Sequence, residues 1–416
     1  MRSPILPVIA TSLLLAACAS APPQPEPASA ANAGPAVLVI AHRGASGYRP
    51  EHTLAAYRLA IEMGADFIEP DLVPTADGVL IARHENELGE STDVGARPEF
   101  AHRRATKSID GRDVTGWFSE DFTLAEIRTL RARESNPEAR PGNAAYDGQF
   151  GIPTFAEVLA LAAAASRPVG VYPETKHPTY FLSEGRRLDG SPIAIDTSQL
   201  LVDQLVASSF TDPARVYIQS FEIQNLIELK HRILPAAGID VPLVQLFGDL
   251  HARVLPPNGA FSVPWDVYVN TRAGADLAAI YGPLHAVVPG GLGPATTYRE
   301  LAAPAALAAM RAHYASGLGP WLASLLEREP LPAGSAAPAR LTGREHPLLA
   351  DAHAAGLAVH VYTLRAEPRF RVLDRDGTLL SMQDEIALAL DAGATGFFTD
   401  HADLGVAARD AWGGAR

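Results

Sequence analysis

Val37-Leu38-Val39-Ile40-Ala41-His42-Arg43-Gly44 is the stretch on which the reading of the fold turns. Its apolar run is short and unbroken, and it closes on His42, Arg43 and a glycine. That is the pattern of a buried strand ending in a turn. Beyond it, Glu51-His52-Thr53 opens a segment in which Leu54, Tyr57 and Ile61 share one helical face, and Gly64 closes that segment. A second strand is expected over residues 66–71. Asp77-Gly78 signals a turn, and a third strand follows over 79–84. Five more are expected at 169–173, 216–220, 242–246, 358–363 and 396–399. Helical patterns lie between most of them, for example at 154–165 and 223–232.

Strand–helix alternation implies parallel pairing with helices outside. Eight such units make the expected fold an α/β (β/α)8 TIM barrel. A doubly wound open sheet is the alternative that periodicity does not exclude. There is no internal sequence repeat. A barrel of this kind needs about 250 residues, and the chain has 416. The surplus falls at 87–150, after the third expected strand, and at 248–344, a long connection before the seventh. The first is polar with many Arg and Gly; the second is rich in Pro, Gly and Ala. Both read as insertions in strand-to-helix connections, on the face where such barrels do chemistry.

Apolar residues make up 47% of the chain and charged residues 19%, which permits a large core and excludes wholesale disorder. The net charge of −13 argues against nucleic acid as a partner, since that wants a basic face. Cys18 is the only cysteine, so no intrachain disulfide or Cys-rich zinc site can form. A metal site must be built from carboxylates and imidazoles.

Arg2 precedes an apolar run over 5–17, shorter than the about 20 residues a spanning helix needs. It reads as an export signal. Leu15-Ala16-Ala17-Cys18 resembles the bacterial lipoprotein cleavage box, which implies cleavage after residue 17 and a lipid anchor on Cys18. Residues 18–36 are rich in Pro and Ala and read as an extended tether, with the folded barrel domain at 37–416. The resemblance implies an exported, periplasmic lipoprotein. Ala19 and Ser20 lack the Asp that favours inner-membrane retention, a lean toward the outer membrane.

Polar residues collect where the strands end: His42-Arg43, Glu69-Pro70-Asp71, Arg83-His84-Glu85 and Glu174-Thr175-Lys176. Core strands have no packing reason to finish this way, whereas the active site of a barrel gathers the C-terminal ends of several strands. Side chains two apart on a strand point the same way, so Glu69 pairs with Asp71 and Glu174 with Lys176. Three carboxylates on one rim would repel unless a cation sat among them, and a hard divalent ion, Mg²⁺ or Ca²⁺, suits that ligand set. The bland reading is a set of solvated charges or ion pairs with Arg43 and Lys176. An unperturbed histidine titrates near ~6.5, so His42 and His84 can take and give a proton near neutral pH. His52 lies close enough in sequence to support the site from behind. A cation, two imidazoles, Arg43 and Lys176 suit phosphodiester cleavage; carbonyl hydrolysis could use similar groups.

These segments resemble the glycerophosphodiester phosphodiesterases, and most closely their secreted, periplasmic branch. The resemblance rests on His42-Arg43-Gly44, Pro50-Glu51-His52-Thr53, Glu69-Pro70-Asp71-Leu72, His84 and Pro173-Glu174-Thr175-Lys176. It continues through Gln219-Ser220-Phe221, Val361-Tyr362-Thr363 and Gly396-Phe397-Phe398-Thr399-Asp400. It implies a TIM-barrel hydrolase that releases sn-glycerol 3-phosphate and an alcohol. His42 and His84 would be the acid–base pair, Glu69, Asp71 and Glu174 the metal ligands, and Arg43 and Lys176 the phosphate contacts. The substrate's own glycerol hydroxyl would attack, and water would open the resulting cyclic phosphate. Residues 87–150 resemble the family's small insertion, and Gly317-Leu318-Gly319-Pro320-Trp321 resembles a rim turn of the periplasmic branch. His52 stands where the wider family often has Asn, and Glu85-Asn86 where Asp and His are common. Two other functions stay open. One is a surface lipoprotein serving as a binding module. The other is a phosphodiesterase acting on lysophospholipids or a wall polymer, with Trp265 and Trp321 near the lipid tail.

Overall fold

The structure, a computed structural model, describes residue 1, residues 37–252 and residues 260–414. The expected leader, Cys18 and the Pro/Ala tether lie outside the described residues. The first strands are β1 (Leu38–His42), β2 (Phe67–Glu69), β3 (Asp71–Pro74) and β4 (Leu80–Ala82). Next come β5 (Ala105–Ile109), β6 (Arg112–Gly116), β7 (Gly170–Val171) and β8 (Glu174–Thr175). Then follow β9 (Ile218–Ser220), β10 (Leu243–Phe247), β11 (Gly317–Pro320) and β12 (Leu326–Pro330). The last are β13 (Ala339–Glu345), β14 (Ala358–Leu364), β15 (Val372–Leu373) and β16 (Gly396–Thr399).

Parallel pairing runs from β16 to β1, from β1 to β2 and from β2 to β7. It continues from β3 to β8, then through β9, β10, β11 and β14 back to β16. β2 and β3 are two halves of one extended stretch, parted at Pro70; β7 and β8 are parted at Pro173. Proline has no N–H to give a ladder, so each stave is interrupted without turning away. The pairing therefore returns to its starting strand. The fold is α/β and TIM-barrel-like, not the open doubly wound sheet. Helices cover the outside, among them Leu54–Glu62, Phe155–Ala163 and Thr197–Ala207. The expected helix at 154–165 is held by a capping box: Thr154 Oγ1 accepts from the Glu157 N–H, and the Glu157 carboxylate accepts from the Thr154 N–H.

Two strand expectations are corrected. The third expected strand, 79–84, is not a stave. β4 pairs antiparallel with β3, Leu72 opposite Ala82. The Asp77-Gly78 turn decides this: a tight hairpin can join only antiparallel strands, while a parallel pair needs a crossover of a dozen or more residues. Residues 87–150 thus follow a hairpin between the second and third staves. The missing stave is β11, expected only as a rim turn inside the long connection. Its glycines look like turn residues, but a Cβ on Gly319 would meet Leu246 Cδ2 at 2.5 Å, and one on Gly317 the Ala358 carbonyl oxygen at 3.1 Å. Here glycine marks close strand packing.

The 87–150 segment carries the β5–β6 hairpin and an apolar cluster including Phe100, Phe118, Phe122, Ile127 and Leu130. β12, β13 and β15 form a small side sheet. Among the described residues no helix is long and apolar enough to cross a membrane.

Candidate active site

Strand alternation builds the site. Ile40, Phe67, Tyr172, Val244 and Phe398 fill the interior between the staves, with the edges of Phe67 and Phe398 on Tyr172 at 6.0 and 5.1 Å. Two residues further along the same faces come His42, Glu69 and then Asp71, Glu174 and Asp400. An aromatic plug thus stands beneath a polar rim.

Register then sets these groups side by side. His42 is opposite Glu69, Asp71 opposite Glu174, and Glu174 opposite Gln219. Glu69, Asp71 and Glu174 are buried, and one carboxylate oxygen from each lies within 4.8 Å of the others. After β1 the chain folds back through left-handed residues, Arg43 (φ 59°) and Gly44 (φ 84°). A Cβ on Gly44 would lie 2.7 Å from the Ala56 carbonyl carbon, so only glycine fits beside the start of the helix Leu54–Glu62. The Arg43 N–H donates to the Glu69 carboxylate at 2.8 Å and to its carbonyl at 3.1 Å, which holds the strained turn.

The carboxylates crowd one another. Burial, then Asp71 and Glu174, push Glu69 well above the usual carboxylate range. Burial and Asp71 bring Glu174 up to about 8 against the pull of Lys176. Burial also opposes ionisation of Asp71, but Lys176 and the His52 hydrogen bond outweigh it and hold Asp71 low. Lys176 Nζ sits 2.8 Å from Glu174 and 3.7 Å from Asp71, and Arg43 Nε 3.4 Å from Asp71. Arg43 also pairs with Glu51 at 3.1 Å. The ion pairs of the bland reading therefore form, but Glu69, Asp71 and Glu174 share only Lys176 and Arg43, one positive charge too few for all three to ionise together. Gln219 Nε2 donates to Glu69 at 3.2 Å, while its buried Oε1 has no hydrogen-bond partner. An all-oxygen donor set with that deficit fits a hard divalent cation.

Both histidines line the same cavity of about 510 Å³ as the carboxylates, Arg43 and Lys176. Burial, then Arg43, lowers His42 to about 3 although Asp400 pulls it up. Burial, then Arg43 and Lys176, lowers His84 to about 4. Both shifts favour the neutral ring. His42 Nδ1 lies 2.6 Å from Asp400 Oδ1, and His84 Nδ1 lies 2.8 Å from Glu85 Oε1. His52 stands behind Asp71, with Nε2 2.9 Å from its carboxylate and Nδ1 2.7 Å from the Tyr57 hydroxyl. The rest of the cavity wall is mixed: charged residues such as Glu90, Asp110 and Arg112 line it together with Phe221, Phe261, Trp265, Tyr298 and Tyr362. Trp265 reaches it, with its indole N–H on Glu184 at 2.9 Å. Trp321 packs its ring on Phe261 at 5.5 Å and does not line the cavity.

The model of the glycerophosphoryl diester phosphodiesterase family matches residues 42–261 and 310–404, which include every rim residue above. The chain belongs to that family. A glycerophosphodiester phosphodiesterase of Arabidopsis thaliana is 31% identical over 380 residues, 89% of this chain and 87% of the relative. One of Haemophilus influenzae is 30% identical over 384 residues, 89% and 88% of the two chains. A solved structure from Silicibacter pomeroyi bearing the same family name superposes with a TM-score of 0.52 at 20% identity, covering 91% of this chain and 95% of the other. That likeness agrees with the fold described above. For this member of the glycerophosphoryl diester phosphodiesterase family, sequence reasoning named seven rim residues and the structure brings all seven into one cavity. It missed Asp400, although Thr399-Asp400 shows the same signal as the others: an apolar strand that turns charged at its end.

Proposed function

We propose that this chain hydrolyses glycerophosphodiesters to sn-glycerol 3-phosphate and an alcohol. The observation that carries the reading is the sharing of one cavity by two imidazoles, three crowded carboxylates and two basic side chains. Glu69, Asp71 and Glu174 would hold one Ca²⁺ or Mg²⁺, which when bound draws charge off the phosphate oxygens. Arg43 and Lys176 bind those oxygens. One imidazole, His42 or His84, takes the proton of the glycerol hydroxyl next to the phosphodiester. That oxygen forms a bond to phosphorus, the bond to the alcohol breaks, and the other imidazole gives its proton to the departing oxygen. Water then opens the cyclic phosphate with the roles reversed. The donor ring must be charged when it acts, and the anionic phosphodiester supplies the field that raises it.

Residues 1–17 are proposed as the leader, Cys18 as the lipid-bearing residue, 18–36 as the tether and 37–416 as the catalytic domain, with 87–150 as the family's insertion. The protein would then be periplasmic and lipid-anchored, in the outer membrane rather than the inner. The apolar wall formed by Phe221, Phe261 and Trp265 favours a second reading, a substrate with an acyl chain. The test is release of glycerol 3-phosphate from glycerophosphocholine and from lysophosphatidylcholine, each with and without chelator. Release from glycerophosphocholine that stops in chelator supports the first reading. Turnover of the acylated substrate alone replaces it with the second, and turnover of neither removes both.

A further inference from the structure

Asp400 directly follows β16 and is buried. Its Oδ1 meets His42 Nδ1 at 2.6 Å. Its Oδ2 accepts from Arg365 Nε at 2.7 Å and from the Arg140 guanidinium. A carboxylate held by two guanidinium groups is ionised, and an ionised carboxylate only accepts. Burial opposes that charge, but Arg365 and Arg140 outweigh it and hold Asp400 well below the usual carboxylate range. The proton of this hydrogen bond must then sit on His42 Nδ1. Nε2, the ring nitrogen left for the cavity, carries the lone pair that accepts a proton.

Arg140 comes from the 87–150 segment and is itself buried. Besides Asp400 it donates to Glu367 and, at 3.0 Å, to the Ser46 carbonyl. Asn143 Nδ2 donates to that same carbonyl at 2.9 Å, and Ser46 Oγ donates back to the His42 carbonyl at 2.8 Å. Both the ring and the backbone of His42 are thus tied to Arg140. Arg140, Arg365, Glu367 and Asp400 do not line the cavity.

We infer that Asp400 and Arg140 are positioning residues: Asp400 fixes His42 as the Nδ1–H tautomer with Nε2 as the proton acceptor, and Arg140 fixes Asp400. The inference rests on the proton-transfer role of His42 proposed above. It gives the 87–150 segment a part in the chemical step, through a contact outside the cavity lining.

The test is steady-state hydrolysis of glycerophosphocholine together with ¹⁵N spectra of the histidine rings in the full chain, the His42 signal being assigned by its loss in His42→Gln. Asp400→Asn offers an N–H toward the ring and reverses the tautomer. Its kcat should fall at least about a hundredfold, as for other imidazoles in the wrong tautomer, with KM within about threefold. Arg140→Met should lose about tenfold in kcat and Arg140→Lys should regain most of it. The wild-type spectrum should show His42 protonated on Nδ1, an observation that needs no folded Arg140 variant. An Nε2-protonated ring in the wild type would overturn the inference. So would an Asp400→Asn enzyme within about threefold of wild-type kcat while His42→Ala is inactive. Full activity in His42→Ala would instead overturn the proposed proton transfer, and the inference with it.

Discussion

The two histidines sit in unlike surroundings. His42 ends a barrel strand, is 12% exposed, and leans on a carboxylate that is 2% exposed and gripped by two arginines. His84 stands on the connection after a hairpin, is 32% exposed, and leans on Glu85, itself 35% exposed. Glu85 is shared with His177, whose other nitrogen is 2.7 Å from Asp110 at the tip of the β5–β6 hairpin. One ring is fixed before substrate arrives, and the other sits on a partner that water reaches. The lesson is that a matched pair of imidazoles need not be held equally: the strand end supplies precision and the loop supplies exchange with solvent.

Removing the rings is the coarsest way to break that comparison. His42→Ala and His84→Ala should each cost at least about a hundredfold in kcat. Full activity in either would remove that residue from the mechanism. Replacing the partners sharpens it. Glu85→Gln should cost less than about tenfold in kcat, against the about hundredfold loss expected for Asp400→Asn. Equal losses would mean that the looser partner orients its ring as firmly as the buried one.

The smallest effects are on stability, and the two regions should fail at opposite ends of the pH scale. Burial opposes a charge on His177, but Asp110 and Glu85 outweigh it and raise its pKa well above the usual value. With the folded value raised, its contribution is complete below about 6.5 and is lost as pH rises through the folded pKa. His177→Gln should therefore flatten the alkaline fall in Tm. For Asp400 the folded value is depressed, so its contribution is complete above about 3.9 and is lost as pH falls. Asp400→Asn should flatten the acid limb. Thermal melts across pH would show either limb unchanged if these contacts carry no stability.

Much of this was legible in the sequence because the period of a strand is two. Once 37–40 is a strand, the charged residues closing it and the later strands must gather at one end, and His42, Glu69, Asp71 and Glu174 do. β4 and β11 were harder for opposite reasons. The β4 stretch has a stave's composition, and only the tight Asp77-Gly78 turn reveals its antiparallel course. The β11 stretch has a turn's composition, because Leu246 and the Ala358 backbone leave no room for side chains. Asp400 carried a readable signal. Arg140 carried none: it lies 260 residues before Asp400 in a stretch without periodicity, and tertiary packing alone joins them.

The central claim is that Glu69, Asp71 and Glu174 form one cation site serving His42 and His84. Calorimetric titration of Ca²⁺ and Mg²⁺ into chelator-treated protein, with glycerol 3-phosphate release followed on the same sample, tests it most directly. The account predicts one divalent ion per chain, activity that vanishes on stripping and returns on titration, and no such binding in Glu69→Gln. Full activity in metal-free protein, or unchanged ion binding in Glu69→Gln, would contradict it.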